Sequence, residues 1–239
     1  MPGMTQDAHL SPALFTFLRS LRRNNDRDWF KQNKQRYIDD VRDPLLGLIA
    51  DFEKPLSKIS QHFIADASTT GGSMFRIHRD TRFSKDKSPY KTHASAQFRH
   101  EEGHDAHCPG FYLHLEPKSV FIGAGIWHPD TQTANAIRQH IIDNAAAWKR
   151  IIASKPFKDG TFELAGESLK RPPRGVEGID GLDADDPLMA NVKRKDFIIV
   201  CTLDEKAACS PRFLQQVTQT CKAAGPFVRF ICDSIDVAW

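Results

Sequence analysis

Between Thr69 and Ser73 the spacing of the apolar residues changes, and that change limits the folds open to this 239-residue chain. Before it, apolar residues recur with the period of a helix. Ser11 is placed to cap a stripe of Leu14, Phe15, Leu18 and Leu21, with Pro12 in the first turn. Asn24 and Asn25 break that pattern, and Asp26 opens a second one carrying Trp29, Phe30, Tyr37 and Val41. Pro44 restarts or kinks it. Leu45, Leu48, Ile49, Phe52, Leu56 and Ile59 extend the stripe toward Ser60, with Pro55 predicting another bend.

After the glycine pair Gly71–Gly72 the period becomes two, which places successive side chains on opposite faces of a strand. Phe75, Ile77 and Phe83 alternate with Arg76, His78, Asp80 and Arg82. Ala94, Ala96 and Phe98 alternate with His93, Ser95 and Gln97. Phe111, Leu113 and Leu115 alternate with Tyr112, His114 and Glu116. Val120, Ile122, Ala124 and Ile126 alternate with Phe121, Gly123, Gly125 and Trp127. Four short strands joined by polar turns predict an antiparallel meander.

Helical spacing returns at Asp130 with Ala134, Ile137, Ile141 and Ile142, and continues through Trp148, Ile151 and Ile152. Residues 157–186 are rich in Gly, Pro and charge and read as irregular. Pro187 opens a short helix, Phe197 to Thr202 is a β-branched strand, and Ser210–Pro211 starts a helix that Gly225–Pro226 should end. The order of elements predicts an α+β fold: N-terminal helices, a central antiparallel meander, and C-terminal helices packed on it. One domain is expected over residues 10–239, behind a disordered tail at residues 1–9.

Charge is uneven. The chain carries 33 basic and 30 acidic residues. Arg76 to Lys91 holds six of the former and two of the latter, a balance of +4 that leaves the rest at −1. A local concentration of this kind can hold an anion on an otherwise nearly neutral molecule. On a strand, Arg76, Asp80 and Arg82 share a face, and two guanidinium forks beside an acid suit carboxylate or phosphate oxygens. Arg79 falls on the apolar side and needs a partner or a bulge. Lys87 and Lys91 can close from the adjoining loop, with Tyr112 and His114 as orienting or acid–base groups. The candidate ligand-binding set is therefore Arg76, Arg79, Asp80, Arg82, Lys87, Lys91, Tyr112 and His114. The alternative use of the same residues is an Arg–Asp network that pins the sheet to the N-terminal helices.

Two other functional classes stay open. The basic segment interleaves Phe83, Tyr90 and Phe98 with its cations, a pattern able to stack bases, although the small net charge and the lack of a reader motif make nucleic acid a poor fit. A non-catalytic interaction subunit is the other. His100, His104, His107 and Cys108 have side chains that bind zinc, but their spacing matches no established ligand pattern, and no metal is assigned. Five cysteines, an odd number without Cys-x-x-Cys, argue against a disulfide framework and for a reducing cytoplasm. No apolar run approaches the roughly 20 residues of a membrane span, and the mean hydropathy is −0.46. No cofactor motif, phosphate loop or activated nucleophile is present.

Several segments resemble one family. Arg79-Asp-Thr-Arg-Phe-Ser-Lys-Asp-Lys-Ser-Pro-Tyr-Lys91, Gly110-Phe-Tyr-Leu-His-Leu-Glu116, Gly123-Ala-Gly-Ile-Trp127 and Leu169-Lys-Arg-Pro-Pro173 are similar to bacterial and fungal proteins catalogued as domain of unknown function 2461. Phe15, Leu18, Asn24, Trp29 and Phe30 resemble its opening helices. The resemblance runs roughly from Leu10 to Phe230 and implies one folded unit. It implies no reaction, cofactor or catalytic residue.

Overall fold

The first helix, α1 (Pro12–Arg23), begins where the sequence places it, because the Ser11 hydroxyl accepts from the Ala13 N–H and satisfies a donor the helix leaves open. These features come from a computed structural model that describes residues 8–103, 107–176, 179, 182–183 and 186–239. Asp26 caps α2 (Arg27–Gln32) in the same way, through the Trp29 N–H. A turn of helix, α3 (Lys34–Tyr37), and a π-helical turn (Ile38–Arg42) lead into α4 (Asp43–Ser57). Pro44 is the second residue of α4, directly after the π-helical turn. The expected tail falls largely outside the described residues, but His9 hydrogen-bonds Asp51 at 2.8 Å.

The sheet follows: β1 (Ala94–Arg99), β2 (Gly110–Glu116) and β3 (Ser119–Ile126). Then come α5 (Thr131–Asp143), α6 (Ala145–Ile152), α7 (Lys155–Lys158), β4 (Glu163–Ala165), α8 (Pro187–Val192), β5 (Phe197–Leu203), α9 (Glu205–Ala208) and α10 (Phe213–Ser234). Among the described residues the five strands form one antiparallel sheet in the order β1-β2-β3-β5-β4. The arrangement is α+β, with helices before and after the sheet.

The structure corrects the sequence reading at three places. The segment from Phe75 to Phe83 is not a strand; its β pairing amounts to the isolated bridges Met74–Ala96, just before it, and His78–Tyr90. The Asp80 carboxylate accepts from the Arg82 N–H at 3.1 Å, and Asp86 accepts from the Ser88 N–H at 2.9 Å. Such short aspartate loops take backbone donors that a strand ladder would use. Phe83, expected on the apolar side, is 96% exposed at the loop tip. Second, the irregular stretch contains the short strand β4, which completes the sheet edge beside β5. Third, α10 runs through Gly225–Pro226. Interior proline costs about 3 kcal/mol, but Phe227, Val228, Phe230 and Ile231 are buried beyond it. Each is worth roughly 1.5–3 kcal/mol, so continuing the helix is the favourable outcome.

The alternation sorts the sheet into two faces. Ala96, Phe98, Phe111, Leu113, Leu115, Ile122 and Ile199 are fully buried on one. There α10 packs on β3 and Phe52 of α4 meets Phe98 edge-on at 4.8 Å. The opposite face carries Ser95, Gln97, Tyr112, His114, Phe121, Gly123, Ile198 and Val200. No described helix is long and apolar enough to cross a membrane.

Candidate functional site

The second face is the floor of a cavity of about 420 Å³. The strand register decides what lies there. Ser95 pairs with His114, which pairs with Phe121; Gln97 pairs with Tyr112, which pairs with Gly123, which pairs with Val200. The polar positions of two strands thus lie beside the bare backbone of a third, and Gly123 leaves the depth that a side chain would fill. Walls rise from outside the strands: Phe75, Lys91 and His93 from the segment before β1, and Cys108 and Trp127 from the loops flanking β2 and β3. That segment is tied to the sheet edge because the Phe75 N–H donates to Ser95 O and the Gln97 N–H donates to Ser73 O.

Tyr112, His114 and Glu116 occupy alternate positions on β2 and form a connected row. The Tyr112 hydroxyl lies 3.0 Å from His114 Nδ1, and His114 Nε2 lies 3.3 Å from Glu116 Oε2. The other carboxylate oxygen accepts from Thr92 at 3.2 Å and is paired with Arg22. Burial lowers the His114 imidazole despite the nearby Glu116 charge. His93, tilted against His114 at 4.5 Å between centroids, is pushed down to about 4 by burial and then by the neighbouring His114 and Lys91. Both environments favour the neutral ring. Burial raises the Glu116 carboxyl, but its hydrogen bonds to His114 and Thr92 and the charge of Arg22 outweigh that and keep it low. Burial also raises the Tyr112 hydroxyl.

Lys91 is the cation of this cavity. It is half-buried, with its ammonium 4.9 Å above the Phe75 ring, and makes no ion pair among the described residues. Burial and the positive charge of Arg76 lower its pKa. A charge kept from water with no counterion is a place for an anion.

The eight residues singled out from the sequence do not gather at one place. Lys91, Tyr112 and His114 line the cavity. Arg79 and Lys91 line a shallower groove of about 390 Å³ next to it, with Arg22 and Asp86. Arg76, Asp80, Arg82 and Lys87 border neither. Arg82 is exposed and forks onto Asp80 at 2.6 and 3.0 Å. Arg79 is paired with Asp86, and Lys87 donates to Thr81 O at 2.9 Å. Asp80, hydrogen-bonded and paired to Arg82, is held down at about 2. These pairs close within the loop itself and join neither the sheet nor the N-terminal helices.

Residues outside that set complete the cavity: His93, Ser95, Gln97, Phe75, Phe121 and Trp127. The signal for the first three was the alternation in β1, which put them on the face of Tyr112 and His114. Phe75 has no such signal, because its place depends on how the irregular segment folds over the edge. In the His100–Cys108 loop, His104 lies outside the described residues. His100 is buried with both nitrogens engaged: Nε2–H donates to Ala238 O at 2.8 Å, and Nδ1 accepts from the Glu102 N–H at 3.2 Å. It has no lone pair left for a metal.

None of the curated proteins matches the chain. A family model described as "Conserved hypothetical protein (DUF2461)" matches residues 13–230. That span takes in the N-terminal helices, every strand, both walls of the cavity and most of α10, and the chain accordingly belongs to this conserved hypothetical family, DUF2461.

Proposed function

We propose that this protein binds a small organic anion in the cavity on the open face of its sheet. The supporting observation is Lys91, a half-buried ammonium with no ion pair among the described residues, in the wall of an otherwise largely aromatic and aliphatic cavity. A carboxylate or phosphate meets Lys91, and an apolar body lies against Phe75, Phe121, Trp127 and Val200. Ser95, Gln97 and Tyr112 orient it through hydrogen bonds. The row from Tyr112 through His114 to Glu116 can pass a proton to or from the ligand, the arrangement general acid–base catalysis uses. We place the protein in the cytoplasm, in keeping with Cys201, Cys209, Cys221 and Cys232 standing as thiols.

Thermal unfolding against aryl and alkyl carboxylates, their neutral alcohols, phosphate and sugar phosphates tests this reading. A ligand at about 100 times its Kd adds about 2.7 kcal/mol, which raises Tm by about 5–10 °C at this size. Lys91→Gln is expected to weaken an acid by about tenfold or more while sparing the neutral analogue. Arg82→Ala, at the loop tip, is expected to leave affinity and Tm unchanged. An acid that binds Lys91→Gln as tightly as the native chain, or loses its affinity in Arg82→Ala, places the site elsewhere.

A second reading has one observation behind it. Phe83 is 96% exposed, and the Arg82 guanidinium lies 5.8 Å from its ring centre. An exposed ring among cations suits a nucleic-acid base. Oligonucleotide binding that weakens steeply with salt and disappears in Phe83→Ala supports this reading; no binding at low salt removes it.

A further inference from the structure

His93, the residue just before β1, meets His114 and Glu116 of β2 on the sheet face that carries the cavity. His114 and Glu116 are alternate residues of β2. Ala94 pairs with Leu115, so His93, one step further out, is level with Glu116 and diagonal to His114. One ligating atom from each of the three lies within 4.8 Å of the others. We propose that these three side chains bind a divalent transition-metal ion of the zinc class.

Three details support a site over a chance cluster. His114 and Glu116 each have one donor atom engaged from outside: Tyr112 contacts His114 Nδ1, and Thr92 and Arg22 engage Glu116 Oε1. Outer partners of this kind orient metal ligands. The atoms left over, His114 Nε2 and Glu116 Oε2, face each other at 3.3 Å. Two donors bonded to one ion at about 2.0–2.2 Å stand about 3–3.5 Å apart, so this pair already has the separation of co-ligands. His93 is the third ligand: its ring lies tilted against His114, with no hydrogen bond to hold it among the described residues. The ion takes the place of the proton now shared between His114 and Glu116. That proton moves to Nδ1, and the Tyr112 oxygen becomes its acceptor.

The surroundings also select the ion. Among the described residues Glu116 alone contributes negative charge here, and Arg22 and Lys91 oppose it. Magnesium and calcium, held mainly by carboxylate charge, are disfavoured. Zinc and cobalt suit two imidazoles beside one carboxylate. Three protein ligands leave at least one coordination position open, the pattern of a catalytic and not a structural zinc.

The proposal does not depend on the organic-anion reading, because the metal is titrated alone. The full chain, freed of metal by chelator and dialysis, is titrated with Zn²⁺ by calorimetry and with Co²⁺ by visible absorption. One equivalent of each is expected, Co²⁺ with d–d bands, and no Mg²⁺ uptake. His93→Ala and Glu116→Gln are each expected to weaken uptake by about 100-fold or more, with unchanged circular dichroism. His93 is only partly buried, so its variant folds whether or not Glu116→Gln does. His107→Ala is expected to bind as the native chain does. Less than one equivalent in the native chain, full affinity in His93→Ala, or loss in His107→Ala overturns the assignment.

Discussion

Gly125→Ala is expected to unfold the protein or lower its Tm by about 5–20 °C, while Gly123→Ala, two residues away on the same strand, is expected to be tolerated. Gly125 sits at φ +118°, a conformation L side chains rarely adopt. A Cβ there would be driven into the Phe197 carbonyl oxygen and would stand 2.9 Å from the Phe227 ring. The obstacle is backbone of the paired strand β5, which cannot swing aside. Strain of about 1–3 kcal/mol adds to overpacking of about 1–3 kcal/mol, a large part of a typical domain stability. At Gly123 a Cβ meets Tyr112 at 3.7 and 3.8 Å and Ile199 O at 3.9 Å, ordinary contact distances. Alanine there gains up to about 1 kcal/mol from the strand. Because its methyl enters the cavity floor, it is expected to weaken an organic acid without lowering Tm. Thermal unfolding of the pair checks this; equal Tm losses would show that β3 has no special conformation at Gly125.

Asp196→Ala is expected to cost about 3–5 kcal/mol, or about 6–20 °C in Tm. The carboxylate is 1% exposed and joins two loops that have no strand pairing between them. Oδ1 accepts from the His128 N–H at 2.9 Å and from the His128 ring at 2.6 Å, and Oδ2 accepts from the Glu167 N–H at 2.8 Å. Alanine strands two backbone donors and frees His128, held at φ +48°. Asp196→Asn is expected to cost less, since one oxygen still accepts. Burial raises the Asp196 carboxyl, but these three bonds prevail and hold it below the usual range. A depressed folded pKa contributes stability in full above the unfolded value of about 3.9 and loses it as pH falls through the folded value. The Tm gap between native and Asp196→Ala protein is thus steady from neutral pH to about pH 5 and narrows below about pH 4. Thermal scans across that range measure it; a gap that widens in acid would mean that the ionised carboxylate is not what joins the loops.

Much of the fold was readable because it rests on local chemistry. Ser11 and Asp26 mark the starts of α1 and α2 through side-chain caps that need no distant partner. The alternation in Ala94–Arg99, Gly110–Glu116 and Ser119–Ile126 identifies three strands and their polar face together, since a one-residue slip would bury His114 among the helices. Tyr112 and His114 could be named as candidates on that basis, and Lys91 from the concentration of cations before β1. The Phe75–Phe83 segment misled for an equally physical reason. Its alternation was real, but Asp80 and Asp86 supply backbone partners at shorter range than any strand.

The sequence by itself determined the α+β order, the capped helices, the two-faced strands and the concentration of cations between Arg76 and Lys91, because each follows from spacing along the chain and from side-chain type. Only the tertiary structure decided which cations meet acids and which stay unpaired. Arg79 and Arg82 find Asp86 and Asp80 within their own loop, while Lys91 is carried over the sheet edge to a wall where no carboxylate among the described residues pairs with it. It also decided that His93 stands level with Glu116, a pairing across 23 residues of chain set by the β1–β2 register. Register and burial are properties of surfaces that meet in space, and a charge acquires a function there only when its surroundings leave it without a partner.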